Sequence, residues 1–221
     1  EYAFIGRNHY EIHDIQNQKI CRKSLLQIEW DTETTKKGGY SHYMIKEIFD
    51  EPQTVRHALD VPRQQIQELA LMFSKASRGY LTGVGTTFYV CQAAQYFFSR
   101  LSGRYFPSVS SDEFAGVVPL HEGDLVLAVS QSGETFDTKT ALNSAQKQGA
   151  VTAAIVNVMG STISRMTDHV IMQGSGPEIC VVSTKAALAQ AILLLRTSLE
   201  LGLIEGELDE DAYASLEKDL N

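Results

Sequence analysis

The stretch Leu125-Val126-Leu127-Ala128-Val129, followed by Ser130-Gln131-Ser132-Gly133-Glu134-Thr135, decides how the chain is read. Five apolar residues bounded by turn-forming ones predict a parallel strand buried on both faces. Residues 137–148 then show helical spacing and meet Gly149, suited to the left-handed turn that ends a helix. Three hydroxyls and an amide therefore stand where a strand hands over to a helix N-terminus. Unpaired backbone N–H groups and the positive end of the helix dipole attract an anion there. Gly133 is expected to let the backbone approach it closely. A helix cap needs one hydroxyl rather than this cluster, so the loop is read as a binding loop for a small phosphate.

The same alternation continues on both sides. Residues 63–74 read as a helix, and Gly79-Tyr80-Leu81-Thr82 as a strand running into Gly83-Val84-Gly85-Thr86-Thr87. Residues 88–102 form a predicted helix stopped by Gly103, and residues 105–109 a strand. Further strands are expected at 152–156 and 169–172, and a long last helix at 184–201, entered through Ser183 as N-cap. Repeated βα units with apolar strands imply a doubly wound, flavodoxin-like α/β domain: a five-stranded parallel sheet flanked by helices. Upstream, Tyr43-Met44-Ile45 and Ile48-Phe49 have helical spacing, and Pro52 opens a further helix to Leu59. Residues 1–30 hold short strand-like pieces such as Tyr2-Ala3-Phe4-Ile5, Tyr10-Glu11-Ile12 and Lys19-Ile20-Cys21, and residues 31–39 read as a linker. The chain thus divides into a strand-and-hinge segment at 1–39, the α/β domain at 40–203, and an acidic tail at 204–221 that reads as a helix or linker.

At 221 residues, 43% apolar and 21% charged, the composition is that of a globular protein with a proper core. A net charge of −8 argues against nucleic acid or an anionic membrane as partner. A phosphate must then be held by local amides and hydroxyls. Cys21, Cys91 and Cys180 are odd in number and far apart, with no metal-ligand spacing, so no metal is expected and a reducing cytoplasm fits. No apolar run is read as long enough to cross a bilayer, and no signal peptide is recognised.

Ligands of open parallel sheets gather at the carboxyl ends of strands, near the switch point. Besides residues 130–135, two loops belong there. Gly85-Thr86-Thr87 taken alone reads as a capping turn, and it lacks the G-x-G-x-x-G spacing of a dinucleotide site. The third runs from Gly174-Ser175-Gly176-Pro177-Glu178 to Ser183-Thr184-Lys185, where Lys185 and Glu178 read equally as solvated or functional. His42, His121 and His169 are read as surface or packing residues, because none pairs with a carboxylate in sequence.

Taken together these residues resemble the sugar isomerase (SIS) domain family, and within it the first of the two such domains of the glutamine:fructose-6-phosphate aminotransferases, or glucosamine-6-phosphate synthases. The resemblance rests on Lys46-Glu47-Ile48-Phe49-Asp50-Glu51-Pro52, the loop at 130–135, Asn157-Val158-Met159-Gly160-Ser161-Thr162, Gly176-Pro177-Glu178-Ile179 and Ser183-Thr184-Lys185-Ala186. It implies that Ser130, Gln131, Ser132 and Thr135 hold the phosphate and hydroxyls of fructose-6-phosphate or glucosamine-6-phosphate. Thr86 and Thr87 would face the same ligand, Thr87 standing where the family has the serine of a Cys-Gly-Thr-Ser turn. Val181 and Ser183 would line the sugar. Two positions depart from the family: Val84 replaces a cysteine, and Cys180 a glycine.

The resemblance further implies a role in hexosamine synthesis without any cofactor. Residues 1–39 would be the end of a glutaminase domain and its hinge, and 204–221 a linker toward a second sugar isomerase domain. A homodimer is the expected assembly. In that family the glutaminase cysteine, the ring-opening lysine and histidine and the proton-shuttling glutamate lie outside the matched segment. These 221 residues are therefore expected to bind a phosphosugar without turnover. Two rivals stay open: a non-catalytic sugar-phosphate sensor, and a self-contained ketose–aldose phosphate isomerase with Glu178 or His121 as base.

Overall fold

A computed structural model describes residues 1–23 and 36–220. The linker read at 31–39 falls mostly outside the described residues. Near the N-terminus, β1 (Tyr2–Ile5) and β2 (Tyr10–His13) form an antiparallel pair, extended by a single bridge from His13 to Ile20. Phe4 and Ile5 are exposed there, as expected of a segment too small to bury a core of its own.

The main body follows with α1 (Tyr43–Phe49), α2 (Glu51–Leu59), α3 (Arg63–Lys75), β3 (Gly79–Gly83) and α4 (Thr86–Leu101). Next come β4 (Ser108–Ser110), α5 (Ser111–Val117), β5 (Leu125–Ser130), α6 (Phe136–Lys147), β6 (Val151–Val156), α7 (Thr162–Met166) and β7 (His169–Met172). The chain closes with α8 (Lys185–Glu205) and α9 (Glu210–Leu220). Strand order in the parallel sheet is β4-β3-β5-β6-β7, so the winding reverses between β3 and β5. The doubly wound fold read from the sequence is the observed one.

Each central strand serves two cores, which is why its residues are apolar in succession rather than alternately. Leu81, Leu125, Leu127, Val129, Ala153 and Ile155 pack under α2, α3, α4 and α8. Tyr80, Val126, Ala128, Ala154 and Val156 face the opposite layer, with Phe114 of α5, Ala141 and Leu142 of α6, and Ile163 of α7. Phe73, Phe98 and Phe106 meet at ring-centroid distances of 4.6 to 5.1 Å and close the first core beneath β3. A fully buried side chain of this size contributes about 1.5–3 kcal/mol, so these rings are a main anchor of α3 and α4 on the sheet.

Two details differ from the reading of the sequence. Helix α8 is long and apolar enough to cross a membrane by length and composition, contrary to the expectation that no run would be; 61% of its most apolar window is buried among α2, α3 and α4. Its apolarity is that of a core helix surrounded on several sides. The cap of α8 is Thr184, not Ser183, and no cap side chain bonds to its first turn. The tail, read as a helix or linker, contains α9, which packs against α8 through the buried Tyr213.

Candidate functional site

Two loops meet at the carboxyl ends of β3 and β5, where the sheet reverses direction. Hydroxyl oxygens do the local folding. Ser130 Oγ accepts the Gly133 N–H (3.1 Å) and lies 3.2 Å from Thr135 Oγ1. Ser132 Oγ accepts the Glu134 N–H at 3.1 Å. These short bonds curl residues 130–135 into a compact turn ahead of α6, whose first turn receives no bond from its cap side chain. The neighbouring segment clasps the turn from outside: the Asn157 N–H donates to the Gln131 carbonyl and the Ile163 N–H to that of Gly133. Glu134 points away from the turn and caps α7, accepting the Thr162 N–H at 2.6 Å; that bond, with Lys139 nearby, holds its carboxyl below the ordinary range.

Gly133 has φ +65°, and a Cβ there would collide with the Ser161 hydroxyl. Glycine is thus required here by the backbone conformation and by packing against the start of α7, besides any close approach of a ligand.

At the end of β3, Thr87 turns back on its own loop. Its Oγ1 accepts the Val84 N–H (3.1 Å) and donates to the Val84 carbonyl (2.8 Å), and the residue is buried. Thr87 therefore fixes the shape of the turn, while the half-buried Thr86 opens α4 next to it.

The third wall is the segment at 174–186, held by groups remote in sequence. Asn157 Nδ2 donates to the Gly176 carbonyl (2.6 Å), and Asn157 Oδ1 accepts the Ser175 N–H (3.1 Å). The buried Glu47 of α1 accepts the N–H groups of Ile179 (2.6 Å) and Cys180 (3.2 Å). Glu178 accepts Ser183 Oγ–H (2.9 Å) and the N–H groups of Thr184 (3.0 Å) and Ala186 (3.1 Å). This carboxylate does the capping assigned to Ser183. Neither Glu47 nor Asn157 stood out as a positioning residue in the sequence, although both lie in the quoted motifs; their partners are too distant along the chain for spacing to reveal.

The three walls enclose a cleft of ≈330 Å³. Each residue read as holding the phosphosugar lines it: Thr86 and Thr87 from one wall, Ser130, Gln131, Ser132 and Thr135 from the second, Val181 and Ser183 from the third; Lys185 does not. Val84 and Cys180 line it too, and Val181 is fully exposed at its rim. Among the described residues the lining contains no lysine, arginine or histidine; Glu178 is the one carboxylate. Polarity comes from hydroxyls, amides and two helix N-termini, a set that can hold an anion by hydrogen bonds and dipoles. His121 is not brought here: it precedes β5, at the opposite end of that strand. Among the described residues no group of histidine, cysteine and carboxylate side chains could hold a metal ion.

This arrangement of sheet, helices and switch-point loops defines a class. The family model described as the SIS domain matches residues 72–197, more than half of the chain, and the chain belongs to that family. Among curated relatives it is 38% identical to a glutamine–fructose-6-phosphate aminotransferase (isomerizing) from Methanococcus maripaludis, over 89% of this chain and 33% of that protein. The enzyme of the same name from Fusobacterium nucleatum is 32% identical over 100% of this chain and 38% of its own length. Among solved structures, the C-terminal domain of glucosamine-fructose-6-phosphate aminotransferase from Francisella tularensis superposes with a TM-score of 0.76 at 28% identity, covering 84% of this chain and 54% of that one. The chain spans little more than a third of the length of these curated relatives.

Proposed function

We propose that this chain is the fructose-6-phosphate-binding domain of an isomerizing glutamine:fructose-6-phosphate aminotransferase, serving hexosamine synthesis in the cytoplasm. The observation that carries the proposal is the hydroxyl-lined cleft at the sheet's switch point, which has no cationic side chain in its lining. In it the phosphoryl group rests on the turn at 130–135 and the N-terminus of α6, with Ser132 and Thr135 donating. Thr86 and Ser183 reach the sugar, Gln131 and Val181 border it, and Ser130 and Thr87 shape the two turns from beneath. Half-buried hydroxyl and amide donors suit a phosphate because they need no cation whose own hydration must be stripped.

The chemistry of amination and isomerisation belongs to other parts of the enzyme. The lining has one ionisable carboxylate, that of Glu178, already occupied by three donors. Proton transfer between adjacent carbons needs a base and an acid within reach of the substrate. We therefore expect the 221 residues to bind phosphosugar without making glucosamine-6-phosphate. Partner domains and a second copy complete the enzyme. Support for association comes from an exposed apolar cleft of ≈550 Å³, formed by Tyr43, Met44, Ile45 and Ile48 of α1 with Ile179. Contiguous apolar surface of this kind marks interfaces.

Calorimetry with fructose-6-phosphate tests the site. Ser132→Ala is expected to weaken binding about tenfold, the loss of one hydrogen bond to a charged group, with the melting temperature nearly unchanged. Equal affinity in wild type and variant would place the ligand elsewhere. A coupled assay should detect no glucosamine-6-phosphate, and its formation would overturn the expected inactivity; exchange of a proton at the substrate carbon, followed by NMR, would instead favour the self-contained isomerase.

A further inference from the structure

A second cleft of ≈330 Å³ lies beside the segment that walls the first. Residues 174–177 border it on one side, while Lys46, Asp50, Gln53, Thr54, His57 and Lys185 supply the other walls. None of these side chains lines the first cleft.

Its charges do not balance. Lys46 Nζ lies 2.6 Å from Asp50 Oδ2, and Lys185 Nζ lies 3.5 Å from the same oxygen. Asp50 is the sole carboxylate of the lining, so two ammonium groups share one negative charge. Lys185 is the more exacting case. Its side chain is only 5% exposed, and the long contact to Asp50 is the hydrogen bond its ammonium makes among the described residues. An ammonium has three protons to donate, and a buried one with a single long contact keeps most of its desolvation cost. The hydroxyl of Thr54 and the amide of Gln53 add donors on the same wall, beside His57, whose Nδ1–H is taken up by the Gly174 carbonyl at 3.1 Å. The set is incomplete without an oxyanion, and the cleft has room for a metabolite rather than a bare ion.

We propose that this cleft is a second ligand site, taking the phosphoryl or carboxylate group of a small metabolite onto Lys185 and Lys46. The proposal does not depend on what fills the first cleft.

Amide NMR of the ¹⁵N-labelled chain tests it, with inorganic phosphate and succinate titrated separately at matched ionic strength. Saturating shifts are expected at Gln53, Thr54, His57 and Gly174, and the anion that saturates at lower concentration identifies the preferred group. In Lys185→Met the apparent Kd at these amides should rise about tenfold, while shifts at residues 130–135 stay as in the wild type. Lys46→Met, at a more accessible position, should weaken binding in the same direction and decides the matter if Lys185→Met does not fold. Non-saturating shifts with both anions, an unchanged Kd in Lys46→Met, or saturation confined to residues 130–135 would each overturn the proposal. The last outcome would leave the first site standing.

Discussion

Gly133 shows how little of a loop's logic its ligand need explain. With φ at +65° and the Ser161 hydroxyl where a Cβ would go, the position is closed to any side chain. Gly133→Ala is expected to cost about 1–3 kcal/mol from backbone strain and overpacking together, and to weaken phosphosugar binding by displacing the turn. Chemical denaturation measures the first effect. Adding Ser161→Gly should restore the packing share; no recovery would mean that backbone strain alone carries the loss. The residues of the first cleft were legible because a helix cap needs one hydroxyl, and here several crowd one strand end. What side chains do there was less legible. Thr87, which lines the cleft, also closes on Val84, and Lys185, open to either reading, is buried against Asp50, 135 positions away. Spacing rules see neighbours in sequence, and these partners are neighbours only in space.

Among elements, the strands and longer helices were readable, since buried runs and 3.6-residue periodicity repeat often enough to be recognised. Helices α5 and α7, with seven and five residues, are too short to show a period. Anchoring of elements by charge was equally hidden. Arg78, just before β3, meets the buried Asp124, just before β5, through bonds of 3.0 and 2.6 Å. Burial works against the charged carboxylate, but the guanidinium and the His121 N–H outweigh it, so Asp124 titrates below the ordinary carboxylate range. A depressed carboxyl contributes stability above its unfolded pKa, about 3.9, and loses that contribution as pH falls toward its folded value. Urea melts from pH 7 to pH 3 should therefore show stability falling at the acid end. Asp124→Asn should lower stability at neutral pH by about 1–2 kcal/mol, kept modest because Arg78 is 41% exposed and can rehydrate, and should flatten the acid limb. A variant with the wild-type pH profile would remove the pair from the account.

At the scale of the whole molecule, the helix that fills the larger core is supplied near the end of the chain. Helix α8 packs on α2, α3 and α4, so Ile66, Leu69 and Phe73 of α3 share a core with Leu193 and Leu194, more than a hundred positions later. A chain cut after Thr184 is expected to keep much of its secondary structure, bind a hydrophobic dye and unfold without a cooperative transition. A sharp melt from that truncated chain would show that the sheet and its other helices suffice. During synthesis the same geometry imposes a wait. At roughly 5–20 residues per second, α3 leaves the ribosome on the order of ten seconds before its partner does. Throughout that interval its greasy side stands uncovered, which makes the nascent polypeptide, rather than the finished protein, the stage most dependent on chaperones.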